Sequence, residues 1–120
     1  MPNFNYNTVS SGIDLTRRNV EFTNLSTSEA IKIWGSPILN IKVPANFLGT
    51  TLTFLVNTED DGSGDYLPFY NVKGEQVSIS VAASRLIGVH PVDFFGVRYL
   101  KLQSNQTETA TLQMVMRAIR

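Results

Sequence analysis

The chain has 120 residues, enough for one domain around a single core. Its ten Lys and Arg balance ten Asp and Glu, which leaves no overall field to recruit nucleic acid or an anionic membrane surface, and the absence of Cys excludes disulfides, thiolate metal sites and cysteine nucleophiles. Charged residues make up only 17% of the chain while Asn, Ser and Thr abound, a balance that suits pleated surfaces better than helices, where Lys and Glu usually dominate.

Residues 1–12, "MPNFNYNTVSSG", have too few apolar positions to hold themselves to a core and lack both the basic region and the apolar run of a leader. They read as an extended N-terminal arm, with Phe4 and Tyr6 at alternate positions as docking residues. The remainder, 13–120, reads as one domain with no linker and no internal repeat. No stretch reaches the roughly eighteen apolar residues a membrane helix needs, so a soluble chain is expected.

From Ile13 onward short apolar runs follow one another at spacings of about a dozen residues or less, the punctuation of a β-sandwich. "VEFTNL" at 20–25 puts Val20 and Phe22 on one face, and "EAIKIWG" at 29–35 points Ile31 and Ile33 inward with Trp34 opposite. "ILNIKV" at 38–43 alternates Leu39, Ile41 and Val43 against Asn40 and Lys42, between Pro37 and Pro44. "TLTFLVN" at 51–57 repeats the device with Leu52, Phe54 and Val56, and "TEDDGSGD" after it is a turn.

"YLPFYNV" and "EQVSISV" flank Lys73-Gly74, a pair that closes hairpins, and Val77, Ile79 and Val81 share a buried face. A short strand over 85–90 and a turn from Pro91 to Gly96 precede "FFGVRYLKLQSN" at 94–105, a strand entered through a glycine with Leu100 and Leu102 inward. The chain closes on a separate strand in which Ala110, Leu112, Met114, Met116 and Ala118 recur at period two. Eight or nine strands without a helix predict an all-β fold: two antiparallel sheets packed face to face in a jelly-roll-like sandwich.

Chemistry is scarce. The single histidine, His90, is separated from Asp93 by a proline, which reads as a turn with capped ends rather than a catalytic pair, so no enzyme and no cofactor is expected. Asp60, Asp61 and Asp65 carry the hard oxygens that calcium takes, but "EDDGSGD" lacks the length and the terminal Glu of an EF-hand and reads first as a solvated turn. Arg17-Arg18 is the strongest basic pair, without the interleaved aromatics of a nucleic-acid surface. Trp34, Tyr66, Phe69, Tyr70 and Tyr99 are the rings on which a sugar face would stack.

Across 38–120 the order of landmarks resembles a family of small proteins encoded among the head and tail genes of tailed bacteriophages. The likeness is carried by "VPANFLGTTLTFLVNTEDDGSGDYLPFYNVKGEQVSISV", then by "SRLIGVHPVDFFGVRYLKLQSN" and the closing "TATLQMVMR", with "FFGVRYLKL" its most specific piece. The resemblance implies a non-enzymatic β-sandwich virion component, foremost a capsid cement or decoration subunit. Its expected partners are further copies of itself, as a trimer, and the major capsid protein, with no nucleic acid, membrane or small-molecule ligand. Phe4, Tyr6, Arg17, Arg18 and Trp34 are the candidate contact residues. A carbohydrate-binding module of a tail or fibre, or a head-tail adaptor, is the alternative expectation.

Overall fold

The computed structural model describes residues 15–89, 94 and 96–117, and among them eight strands and no α-helix occur. The strands are β1 (Leu15–Thr27), β2 (Ile31–Lys32), β3 (Ile38–Val43), β4 (Thr51–Asn57), β5 (Leu67–Pro68), β6 (Ser78–Ser80), β7 (Arg85–Gly88) and β8 (Tyr99–Arg117). All pairings are antiparallel, and β8 takes part in four of them. Near its C-terminal end β1 and β3 pair with the same residues, so they lie on opposite edges. Near its N-terminal end β2 and β4 do the same. β7 continues the sheet beyond β3, and β5 and β6 continue it beyond β4.

The outcome is one strongly curled sheet of eight strands, where the sequence predicted two separate sheets. The reason lies in β8. What reads as two strands, 94–105 and a closing segment after it, is a single strand of 19 residues that serves both halves of the sheet. Five steps along β8, from Gln103 to Glu108, match only two along β1, from Leu25 to Thr27. Surplus backbone on one strand bends and twists it, and this irregularity lets the two halves fold over a shared core. Val20, Phe22, Leu112 and Met114 come from one half and Leu52, Phe54, Leu100 and Leu102 from the other, all in one cluster.

Several local expectations shift. In β3 a register irregularity between Ile38 and Asn40 flips the phase, so Ile38 and Ile41 are buried and Leu39 is only half-buried. The predicted strand 29–35 is reduced to β2 because Trp34 and Gly35 turn the chain. Phe94 is a core residue rather than the start of a strand, packing edge-on to Phe54 at 4.8 Å and stacked with Phe69 at 5.4 Å.

The hairpin around Lys73-Gly74 exists, but its arms pair mainly with β4. Residues 67–68 face 55–56 and residues 78–80 face 51–53, so the two arms line the same edge of β4 end to end. Between them residues 70–76 leave the sheet as a finger, closed by a Tyr70–Gln76 bridge and by Asn71 N–H to Glu75 O at 2.8 Å. The Asn71 side chain braces the tip by accepting from Lys73 and Glu75 N–H.

The loop between β3 and β4 is fixed to the bend of β8 by a buried carboxyl group. Glu108 is fully buried; Oε1 accepts Leu48 N–H at 2.9 Å, and Oε2 accepts Gly49 N–H at 2.8 Å and the Ser104 hydroxyl at 2.7 Å. Alongside, Asn105 accepts Thr50 N–H and donates to the Thr50 hydroxyl, while Phe47 enters the core against Phe22. Only glycine fits at position 49, since a Cβ there would collide with the Ser104 hydroxyl and lie 2.8 Å from Asn105 Oδ1. Removing the acceptor strands buried N–H groups, each worth about 1–3 kcal/mol. Glu108→Ala is therefore expected to lower unfolding stability by roughly 2–5 kcal/mol, and Gly49→Ala to be non-additive with it because both break the same contact. Urea titration of the two single variants and the double variant measures this.

Candidate functional site

The most unusual backbone feature carries the most unusual side chain. Trp34 (φ 51°) and Gly35 (φ 73°) occupy the centre of a turn closed by Ser36 N–H to Ile33 O at 2.9 Å. Two successive positive φ values mark a type I′ turn, a slot that Asn-Gly fills best and a bulky residue fills at a cost. A tryptophan held there points to its side chain, not its backbone preference, as the reason for its presence. The turn is sewn to the segment before β8, with Ile33 and Trp34 N–H both donating to Arg98 O and Gly35 N–H to Val97 O. Arg98 lies over the indole at 4.3 Å, and Lys32 Nζ lies 5.0 Å from the same ring.

Arg98 also joins Trp34 to the acidic turn. Its guanidinium meets the Asp60 carboxylate at 3.0 Å, an exposed ion pair of small net energy that nevertheless orients both groups. The turn itself is held from beneath by Asn57, which is buried: its amide donates to Ser63 O and Asp65 O while its oxygen accepts Glu59 N–H. Asp61 accepts Ser63 N–H, and its hydrogen bonds to the Ser63 side chain and backbone hold its carboxyl below the usual value of 3.8. Tyr66 donates to Gly62 O, carries Lys101 Nζ 4.5 Å above its ring, and is pushed above the ordinary value of 10.0 by burial and then by Tyr99 and Asp61. A methyl group at Gly62 would touch the Tyr99 ring at 3.1 Å. Trp34, Arg98, the turn 57–66, Tyr99 and Lys101 thus form one continuous patch of aromatic and charged groups.

The remaining candidates disperse. Alternation along β1 puts Arg17 and Arg18 on opposite faces, both exposed, with only Arg18 on the face of Val20 and Phe22. Phe69 packs against the core, Tyr70 projects on the finger, and Tyr66 and Tyr99 are half-buried in the patch, so the five rings do not make one stacking platform. Asp60 turns to Arg98 and Asp61 to Ser63, and among the described residues no group of three or more His, Asp or Glu converges on a point where a metal ion could sit. Phe4, Tyr6, the arm 1–12, His90 and Asp93 lie outside the described residues. No helix among the described residues is long and apolar enough to cross a membrane.

Two residues that organise this end of the molecule, Asn57 and Arg98, were not singled out by sequence. A polar residue closing an apolar strand and an arginine entering one have no pattern that sets them apart. Glu108 did have a signal: it continues, two residues earlier, the inward phase of Ala110 and Leu112.

No protein-family model and no curated protein matches this chain.

The Tyr66 shift sets a pH dependence. The folded chain holds the Tyr66 proton to higher pH than the unfolded chain does, so the stability it contributes is complete below pH 10 and is lost as pH rises beyond that value. Chemical denaturation across pH 8–11 is expected to show unfolding free energy falling above 10, with a shallower fall in Tyr66→Phe.

Proposed function

We propose that the chain is a non-enzymatic structural subunit of a bacteriophage particle, a capsid cement or decoration protein that acts through protein–protein contacts on the virion. In this reading the curled sheet works as a jelly-roll-like β-sandwich whose outer surface is the working part. Its partners are the major capsid protein and copies of itself in a trimer.

The observation that carries the reading is the finger at 70–76. It is internally hydrogen-bonded and so holds its shape before contact, yet it presents Tyr70 and a fully exposed Val72 to solvent. An ordered projection with an apolar tip loses little entropy on docking and gains burial when it enters a partner's recess. Leu67, in the arm that leads to the finger, is exposed as well. The Trp34–Arg98–Tyr99 patch adds the residue types that dominate interface energetics. On a repeating lattice a modest contact suffices, because each further contact forms at high effective concentration.

Sedimentation with isolated phage shells tests the proposal. Wild-type chain is expected to co-sediment, and Val72→Asp to lose at least tenfold in retention while its melting temperature stays unchanged, since the tip touches no core. Shells that retain the variant as well as wild type, or that retain neither, would overturn it.

A further inference from the structure

The sheet path β5-β4-β8-β3-β7 ends in a pair of strands on each side, and each end carries an open recess beside an exposed leucine. At the β3–β7 end a recess of about 590 Å³ is lined by Pro44, Ala45, Ser84 and Leu86 and flanked by Lys42 and Arg85. At the β4–β5 end a recess of about 520 Å³ is lined by Val56, Thr58, Ser63 and Leu67 together with Glu59 and Asp65. Leu86 is 67% exposed and Leu67 61%, so within one chain neither leucine is covered.

The charges of the two ends are sorted by sign. Among its described lining residues the first recess has two cations and no carboxylate, and the second has two carboxylates and no cation. All four charged side chains are exposed, and none of them makes an ion pair among the described residues. An exposed apolar patch rimmed by polar groups marks an interaction surface. Here one chain carries two such patches with opposite rims.

Charge decides how copies of the chain can meet. A patch set against its own counterpart would bring cations against cations or carboxylates against carboxylates, a juxtaposition that is costly at close range and excludes a two-fold contact of either patch with itself. The favoured contact joins unlike ends. Such a contact runs head to tail from copy to copy and closes into a ring when its rotation allows.

We infer that the Leu86 end of one copy binds the Leu67 end of a second, with Leu67 seated against Pro44 and Ala45 and with Lys42 and Arg85 set against Glu59 and Asp65. Burial of the two leucines supplies affinity, and the charges fix orientation and choice of partner. A second copy as occupant rests on the reading of the chain as a subunit that binds copies of itself; the pairing of unlike ends rests on the two recesses alone. The finger at 70–76 lies outside the contact and remains available to the shell.

Charge reversal in the full chain, read by sedimentation velocity, tests the contact. Wild-type chain is expected to sediment as a species larger than the monomer. Lys42→Glu with Arg85→Glu, and separately Glu59→Lys with Asp65→Lys, are each expected to weaken association roughly tenfold or more, because each makes both ends alike in sign. All four reversals in one chain restore unlike ends and are expected to restore association, a rescue that a loss of folding would not give. Leu86→Asp is expected to leave a monomer whose circular dichroism matches wild type. Wild-type chain that stays monomeric up to its solubility limit overturns the inference, as do reversals that leave association unchanged or a fourfold variant that fails to associate. If shells retain the chain while association ignores the reversals, the end-to-end contact alone fails. If association follows the reversals and shells retain nothing, the particle reading alone fails.

Discussion

Glu108 sits at the point where the sheet bends, and its position sets the terms for the rest of the molecule. A carboxyl group buried among apolar side chains is costly unless its oxygens are hydrogen-bonded. Here backbone N–H groups of the β3–β4 loop and a neighbouring serine fill that role. The loop in turn has its own buried N–H groups satisfied by Glu108, so each side secures the other. Among the described residues no ion pair involves Glu108, and satisfaction by fixed backbone donors ties the carboxyl to one loop conformation more strictly than a flexible lysine would.

From that anchor the architecture follows. With the loop fastened over the bend, β3 and β4 are delivered to successive stretches of β8. Each then recruits its own neighbours, β7 on one side and β5 with β6 on the other. The curvature brings the inner faces of both halves onto one core while leaving the outer strands and turns free to carry surface features. The finger at 70–76 and the Trp34 turn are both departures from regular ladders, the finger braced by hydrogen bonds within itself and the Trp34 turn by bonds to the segment that leads into β8. Rigid support under an irregular feature is what allows it to present side chains at low entropic cost.

Charge is distributed unevenly despite a net of zero. The acidic turn is held by Asn57 and linked by the Arg98–Asp60 pair to Trp34, while Arg18, Lys32 and Arg117 line a cavity that Trp34 also borders. Trp34 therefore adjoins a group of cations and, through Arg98, the acidic turn. A neutral chain with segregated signs has the means to orient a partner without a strong long-range field.

The strand pattern was legible because it depends on alternation alone. Val20 and Phe22, Leu52 and Phe54, Leu100 and Leu102, and Leu112, Met114 and Met116 reach the core in the phase their spacing dictates. What alternation cannot specify is which strands pair, where a register slips, or that two apparent strands are one. The irregularities at Leu39 and at 104–107 depend on contacts with segments far away in sequence. For the same reason the sequence could mark Trp34 as out of phase but could not reveal its left-handed backbone, its cations or its unpaired N–H. Local periodicity determined the class of the fold and most of its core. The joining of the halves through β8, the Glu108 clasp and the cavity beside Trp34 were decided only by tertiary structure, because each consists of groups that meet through folding and not through neighbourhood along the chain.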